Sequence, residues 1–318
     1  MSEPKSSLRG SPSDGPAEPV SAPDTLYHYT TREGVVGIAT SRRLWATSIR
    51  HLNDAAEFTY AHGVLEKALG EAARGRPPDV VATVKLLQKD LDITRMDSRF
   101  AMGGTDNLTF VASFSTWGDQ LSQWRAYCRS GGYSLGFQRT VLEEVASMQG
   151  FELVQCTYDP QRHRAEACEL AEEFVHRVET EIPESARKAV VPAARSTTPS
   201  IGAYFFPLHN EIVGRLAMLA PTWKHSSFEE ESEWRLVSRK PQKADFRVGA
   251  SAIVPYTSLL LDFPAVRSGD KLAWFSEIGI SPGDDQELAA MGLIQLFDAN
   301  EIAWPKVSGS SSPLRPNW

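Results

Sequence analysis

Cysteine is scarce in this chain of 318 residues: Cys128, Cys156 and Cys168 form neither a C-x-x-C pair nor an even set. That excludes a disulfide framework and points to free thiols in a reducing compartment. Long apolar runs are missing too, and none approaches the roughly twenty residues of a membrane span. The N-terminus lacks the basic-then-apolar layout of a secretory signal, so a cytoplasmic protein with no membrane partner is expected. Basic charge is not in excess either: 33 Lys and Arg stand against 40 Asp and Glu, a formal net charge of −7. Such a chain has no global field to draw in nucleic acid, which disfavours sequence-independent duplex binding. No G-x-G-x-x-G follows the first strand-like run and no G-x-x-x-x-G-K-[ST] occurs, which sets aside Rossmann and P-loop nucleotide chemistry. The seven histidines are dispersed without an H-x-x-x-H, so no metal centre is expected. His51, Asp54 and Glu57 could touch one ion, but a capping role for Asn53 or Asp54 fits their place at a helix start better. No period of about 20–50 residues repeats, which excludes solenoids and propellers.

What is present is an ordinary globular composition, 42% hydrophobic and 23% charged. Residues 1–24 hold five of the twenty prolines and six serines, and read as a disordered tail. Residues 25–318 read as a single domain. It opens on the strand-like Leu26-Tyr27-His28-Tyr29, after which Thr30 or Thr31 caps a helix that turns Val35, Val36 and Ile38 inward. Leu44 to Ser48 is extended. Helices are expected from Asp54 to about Gly75 and from Pro78 to about Leu91. Leu108 to Ser115 is a strong strand, followed by a short helix (Gln120 to Cys128), the strand Tyr133 to Phe137, a helix from Val141 and the strand Phe151 to Tyr158. From about Pro160 to Lys224 the pattern is helical, an insert broken near Pro183 and Thr198-Pro199. Further strands are expected at Glu233–Val237, Ala252–Pro255, Leu259–Phe263 and Glu277–Ile280, and a helix at Asp285–Ala299. Strands scattered among helices of uneven length predict an α+β fold, with mixed or antiparallel central sheets flanked by helices.

Four constellations carry chemistry. His28 alternates with Tyr27 and Tyr29 along a strand, so it can face a cleft and donate to a ribose hydroxyl or a backbone carbonyl, or simply satisfy a carbonyl in the core. Ser113 and Ser115 end the strongest strand, and Trp124 and Tyr127, three apart on the next helix, share a face that could pack inward or offer a stacking surface. Glu229 to Glu233 is an acidic run leading into a strand. Glu231 and Glu233, two apart, would share a face and could divide labour between holding a hydroxyl and placing a nucleophile. Gly132-Tyr133-Ser134-Leu135-Gly136 is a literal G-x-S-x-G, with Asp159 and His163 or His209 available to complete a hydrolase order. Its context is a polar helical segment followed by continuing strand, which favours an ordinary strand over a nucleophile elbow.

The order of these blocks, with Leu52-Asn53-Asp54-Ala55-Ala56-Glu57 and Glu277-Ile278-Gly279-Ile280-Ser281-Pro282, resembles the bacterial family catalogued as domain of unknown function 2971, over about residues 25–315. That family in turn resembles the ADP-ribosyltransferase fold of DarT-type toxins and the diphtheria-toxin class. The resemblance implies that NAD is the substrate, and that His28, with Tyr29 and Thr30 after it, holds the adenosine ribose. It implies further that Tyr127 or Trp124 stacks on nicotinamide, that Ser113 or Ser115 orients the acid, and that Glu233 is the catalytic glutamate with Glu231 beside it. A carboxylate suits the oxocarbenium-like state formed when the nicotinamide–ribose bond breaks.

The expected function is therefore an NAD-dependent ADP-ribosyltransferase or NAD glycohydrolase of toxin, phage-defence or effector biology, acting on a protein or nucleic-acid acceptor. Arg125, Arg129 and Lys224 could form a basic rim for a nucleic-acid acceptor. The alternatives are a non-catalytic binding or regulatory module of the same fold, in which Glu233 pairs with charges near Arg235, and a serine hydrolase using Ser134.

Overall fold

A computed structural model describes residues 23–52, 55–91, 108–189, 201–249, 251–264, 267–283 and 285–312. Residues 1–22 of the tail expected over residues 1–24, the cap at Asp54, the His51–Asp54–Glu57 grouping and the break at Thr198-Pro199 lie outside what is described.

The chain enters through β1 (Thr25–Thr31). Of the two expected caps it is Thr31 that starts α1 (Arg32–Ser41), its hydroxyl accepting the Gly34 N–H at 3.2 Å. Val35 and Ile38 bury on this helix, whereas Val36 is 47% exposed. One residue is about 100° of helical rotation, which carries Val36 off the face that the other two define. Arg42, at φ 54°, reverses the chain into β2 (Arg43–Ser48). The helices α2 (Ala55–Ala72) and α3 (Pro78–Leu91) follow, the second opening on a proline whose missing N–H has no helical partner to lose. Next come β3 (Phe110–Ser115), α4 (Leu121–Tyr127), β4 (Gly132–Gln138), α5 (Arg139–Gln149) and β5 (Phe151–Gln155). The described part of the insert consists of α6 (Pro160–Glu181), capped by Asp159, with α7 (Glu184–Lys188) and α8 (Gly202–Leu219).

The last third returns to strands: β6 (Glu233–Ser238), β7 (Asp245–Val248), β8 (Ile253–Leu260), the two-residue β9 (Arg267–Ser268) and β10 (Lys271–Leu272), and β11 (Phe275–Ile280). Helix α9 (Gln286–Ala299) and β12 (Lys306–Gly309) complete the described chain. One expectation is corrected here and one strand is added. The segments 252–255 and 259–263 are not separate strands, because β8 runs through Pro255. Pairing with β2 reaches only as far as Tyr256, so the proline has a strand partner, Phe246, on one side alone and its absent N–H breaks no ladder. And β7, too short and polar to register by alternation, pairs with β8 at the end of the sheet.

The sheet order is β12-β11-β4-β1-β3-β2-β8-β7, with β6 joining β3 to β5 off that path. Every pair is antiparallel except β11–β12, so the fold is α+β with a mixed sheet flanked by helices. One buried cluster (Leu26, Phe114, Leu135, Phe137, Leu236, Ile278 and Phe297 among others) lies between the sheet and α1, α5 and α9. A second, which includes Leu65, Val84, Phe174, Leu208 and Trp223, is made by α2, α3, α6 and α8. The insert thus buries its apolar face against the two early helices, which removes that surface from water at roughly 25 cal/mol per Å2.

One irregularity positions the site. Strand β6 covers one edge of β3 from Val111↔Val237 to Ser115↔Glu233. The opposite edge is shared: β2 pairs only at Phe110 and Val111, and β1 only at Ser115. Between them the sheet splits into a fork, with Ser113 at its vertex.

Candidate functional site

His28 closes the fork. Its Nδ1 lies 2.9 Å from the carbonyl oxygen of Ser113, the group that the divergence of β1 and β2 leaves without a strand partner. A carbonyl only accepts, so Nδ1 carries the proton. Burial holds the imidazole pKa below its ordinary value, outweighing the bond to Ser113, and the ring is therefore neutral. In that tautomer Nε2 is an acceptor. Toward a ribose His28 therefore offers a lone pair for a hydroxyl proton, while its donor is engaged by the backbone.

A cavity of about 500 Å3 opens at the fork, lined by His28 and Thr30 of β1, Ser113 of β3, Tyr127 of α4, Lys224, and Glu233 and Arg235 of β6. That volume is within the range of about 300–1,000 Å3 for small-molecule sites. A narrower extension of about 70 Å3 is lined by Tyr29, Ser115 and Glu231, together with His28, Ser113, Tyr127 and Glu233. Segments separated by more than two hundred residues, such as those of His28 and Arg235, thus meet at one place.

The two acids are brought together differently from the strand alternation expected of them. Glu231 ends a 3-10 turn (Ser226–Glu231), Ser232 is left-handed at φ 43°, and β6 begins only at Glu233. What joins them is Lys224. Its Nζ is 2.5 Å from Glu231 Oε2 and 2.5 Å from Glu233 Oε2, and the lysine is fully buried. Arg235 grips Glu233 from the other side, Nε to Oε1 and Nη2 to Oε2, both at 2.8 Å. Burial by itself would raise the Glu233 pKa. The adjacent guanidinium and ammonium outweigh that and hold it at about 2, so the carboxylate is ionised throughout the physiological range. Two acids and two bases make a neutral floor, which is how four charged groups can be tolerated out of water. Lys224 is accordingly not part of an exposed rim for a nucleic-acid acceptor.

The aromatic pair divides. Trp124 is buried edge-on against Tyr29, with ring centroids 4.8 Å apart, and its Nε1 donates to Asp119. Tyr127 lines the cavity, and burial together with the charges of Glu233 and Glu231 raises its phenol pKa, keeping the hydroxyl a donor. Of the two serines, Ser115 donates to the Glu231 carbonyl at 2.9 Å and accepts the Trp117 N–H at 3.1 Å. It fixes the turn that presents the acids rather than a carboxylate. Tyr29 is equally structural: its hydroxyl donates to the Trp117 carbonyl and accepts the Gln120 N–H.

Ser134 lies mid-strand in β4, fully buried, and donates to the Gly118 carbonyl at 2.6 Å. There is no strand-to-helix elbow at this serine. His163 is engaged elsewhere, between Tyr60 and Thr157 at 2.9 Å each and stacked on Trp223 in the helical layer. His209 lies in α8 beside Phe205. The geometry therefore corrects the serine-hydrolase alternative.

The wall facing His28 went unnoticed in the sequence. It is formed by Arg43, Trp45 and Thr47, alternate residues of β2, with Arg247 of β7. The R-x-W-x-T spacing was legible as one face of a strand, but nothing local reveals that this face lines a cavity. Lys224 could be named from the sequence only for a basic rim, and nothing local marks it as the partner of the two acids.

Comparison with curated proteins and with solved structures returned no match. Residues 123–236, running from within α4 into β6, match the model of a family described as protein of unknown function (DUF2971), and this is the stretch that carries Tyr127, Lys224, Glu231, Glu233 and Arg235.

Proposed function

We propose that the chain binds NAD in the fork cleft and cleaves its nicotinamide–ribose bond, passing ADP-ribose to an acceptor or to water. The observation that supports this reading is the convergence of His28, Ser113, Tyr127 and Glu233 on one cavity large enough for a nucleotide. Their chemistry is apt for the task. Nε2 of His28 accepts from a ribose hydroxyl, the Tyr127 ring offers a face to nicotinamide, and Glu233 is a permanent anion near the sugar. As the C–N bond breaks, its electron pair leaves with nicotinamide, and an acceptor group or water attacks the anomeric carbon and gives up its proton to solvent. The reading makes one structural demand. A ribose hydroxyl must replace Lys224 at Glu233 Oε2, and Lys224 retains a carboxylate at Glu231 when that happens.

A second reading, a ligand-binding module without turnover, is favoured by the two-point pairing of Glu233 with Arg235. A carboxylate already offset by two cations has less to give an oxocarbenium ion. The experiment that separates the readings measures NAD binding and nicotinamide release independently, for the wild type and for Glu233→Gln and His28→Ala at matched folded fraction. Release by the wild type, lost in Glu233→Gln with binding retained, supports cleavage. Binding without release, with and without cell lysate, supports the module, and no binding at all overturns both.

A further inference from the structure

The far wall of the cavity has features that the floor lacks. Arg43 and Arg247 stand on β2 and β7, and among the described residues neither is paired with a carboxylate, although the chain carries a net charge of −7. Arg43 reaches only the Ser258 hydroxyl, at 3.1 Å. Arg247 reaches the Thr47 hydroxyl at 3.3 Å, and its guanidinium lies 5.8 Å from the centre of the Trp45 ring. Trp45 in turn packs against Tyr256 at 4.6 Å yet remains 49% exposed. Two buried nitrogens on this wall, Arg247 Nε and His51 Nδ1, have no hydrogen-bond partner among the described residues. A buried donor left unmade is costly, and a guanidinium beside an indole with its Nε–H unpartnered is available to a multiply charged oxyanion. The floor, by contrast, is already neutral through Lys224, Arg235 and the two glutamates.

We infer that this wall is a diphosphate-recognising subsite, in which Arg43 and Arg247 take the phosphate oxygens and Trp45 carries the adjoining planar base. The inference rests on the nucleotide reading of the cleft and deepens it: the ligand class is a nucleoside diphosphate, and the charge of the diphosphate, not the base alone, provides the hold. The diphosphate then spans from the mouth toward the fork, leaving the nicotinamide ribose beyond it to His28 and Glu233, in place of the adenosine ribose that the family resemblance assigned to His28. Recognition of this kind weakens as salt rises, because charge-assisted contacts at a partly open mouth are screened.

The test is calorimetric titration of the full-length protein with ADP-ribose, adenosine and inorganic pyrophosphate. Wild type is compared with Arg43→Gln, Arg247→Gln, their double variant and Trp45→Leu, each checked for folding by circular dichroism. Wild type is expected to bind ADP-ribose at least about tenfold more tightly than adenosine. The double variant should lose that advantage and its pyrophosphate binding, while its affinity for adenosine stays unchanged. Trp45→Leu should weaken adenosine and ADP-ribose alike. Equal affinity for ADP-ribose and adenosine in the wild type overturns the subsite, as does an advantage that survives the double variant, or no binding of either phosphate compound at millimolar concentration. The two proposals fail separately. Pyrophosphate bound through the arginines by a protein that ignores NAD keeps the subsite and discards the NAD reading. NAD cleaved with an unchanged KM in the double variant does the reverse.

Discussion

Lys224 Nζ sits 2.5 Å from Oε2 of both Glu231 and Glu233, so that one buried ammonium ties together two acids that a left-handed Ser232 separates. Lys224 contributes no exposed charge, and its loss would remove the cation that Glu231 and Glu233 share, leaving Glu233 its pairing with Arg235 on the other side.

Lys224→Met and Glu233→Gln should therefore each destabilise the fold by about 3–5 kcal/mol, the cost of an uncompensated buried charge. The double variant should lose clearly less than the sum, since each change removes the partner that the other strands. Urea denaturation of the four proteins checks this, and strict additivity would show that the hub is not a unit.

The Glu233 carboxyl has its pKa lowered from an ordinary 4.5 to about 2. A group depressed on folding stabilises the native state above its unfolded pKa, and that stability is lost as pH falls through the folded one. The loss should run from about pH 4.5 down to pH 2 and amount to about 3 kcal/mol. Glu233→Gln should flatten the acid limb of a stability–pH curve over that window, and an unchanged limb would contradict the pairing described here.

His28 works at a different pH. Its folded pKa is lowered by burial, so the unfolded chain binds the extra proton first. Stability should accordingly be full above the ordinary histidine value of about 6.5 and decline as pH falls below it. His163 is lowered by burial as well and contributes in the same direction. The share of His28 is read as the difference between wild type and His28→Gln in thermal midpoint across pH 7 to 5, and no difference would show that the ring is not held neutral by burial.

The rings on α4 should separate cleanly by substitution. Trp124→Ala removes a fully buried indole and should cost about 3–5 kcal/mol. Tyr127→Ala should leave thermal stability much closer to wild type and weaken NAD binding by about tenfold, the scale of a lost ring–ring contact. Differential scanning fluorimetry with and without NAD reports both effects. Equal NAD affinity in Tyr127→Ala and the wild type would remove this ring from the ligand.

Ser134→Ala should behave as a packing change, costing about 1 kcal/mol for the bond to the Gly118 carbonyl and nothing in turnover. A fluorophosphonate probe should leave the folded wild type unlabelled, and labelling that disappears in Ser134→Ala would reinstate a nucleophile.

Much of this was available locally. The alternation and β-branched content of Leu108 to Ser115 predict β3, Thr31 and the Asp159-Pro160 pair mark helix starts, and uneven spacing of strands and helices excludes a doubly wound sheet. Periodicity of this kind is written in neighbouring residues, which is why fold class and element order can be read without a structure. His28, Glu231 and Glu233 could be singled out for the same reason, as polar groups in or beside strand-like runs. What the sequence could not decide is how distant edges meet. The fork exists because β1 and β2 share one edge of β3 and leave Ser113 between them, and no local pattern specifies that division. Nor does any pattern mark Lys224 as the partner of two acids, put Tyr127 rather than Trp124 at the cavity, or set Arg247 on Trp45. Those outcomes depend on which charges can be neutralised out of water and which rings fill the space behind the sheet, and both are settled only when segments more than two hundred residues apart are packed together.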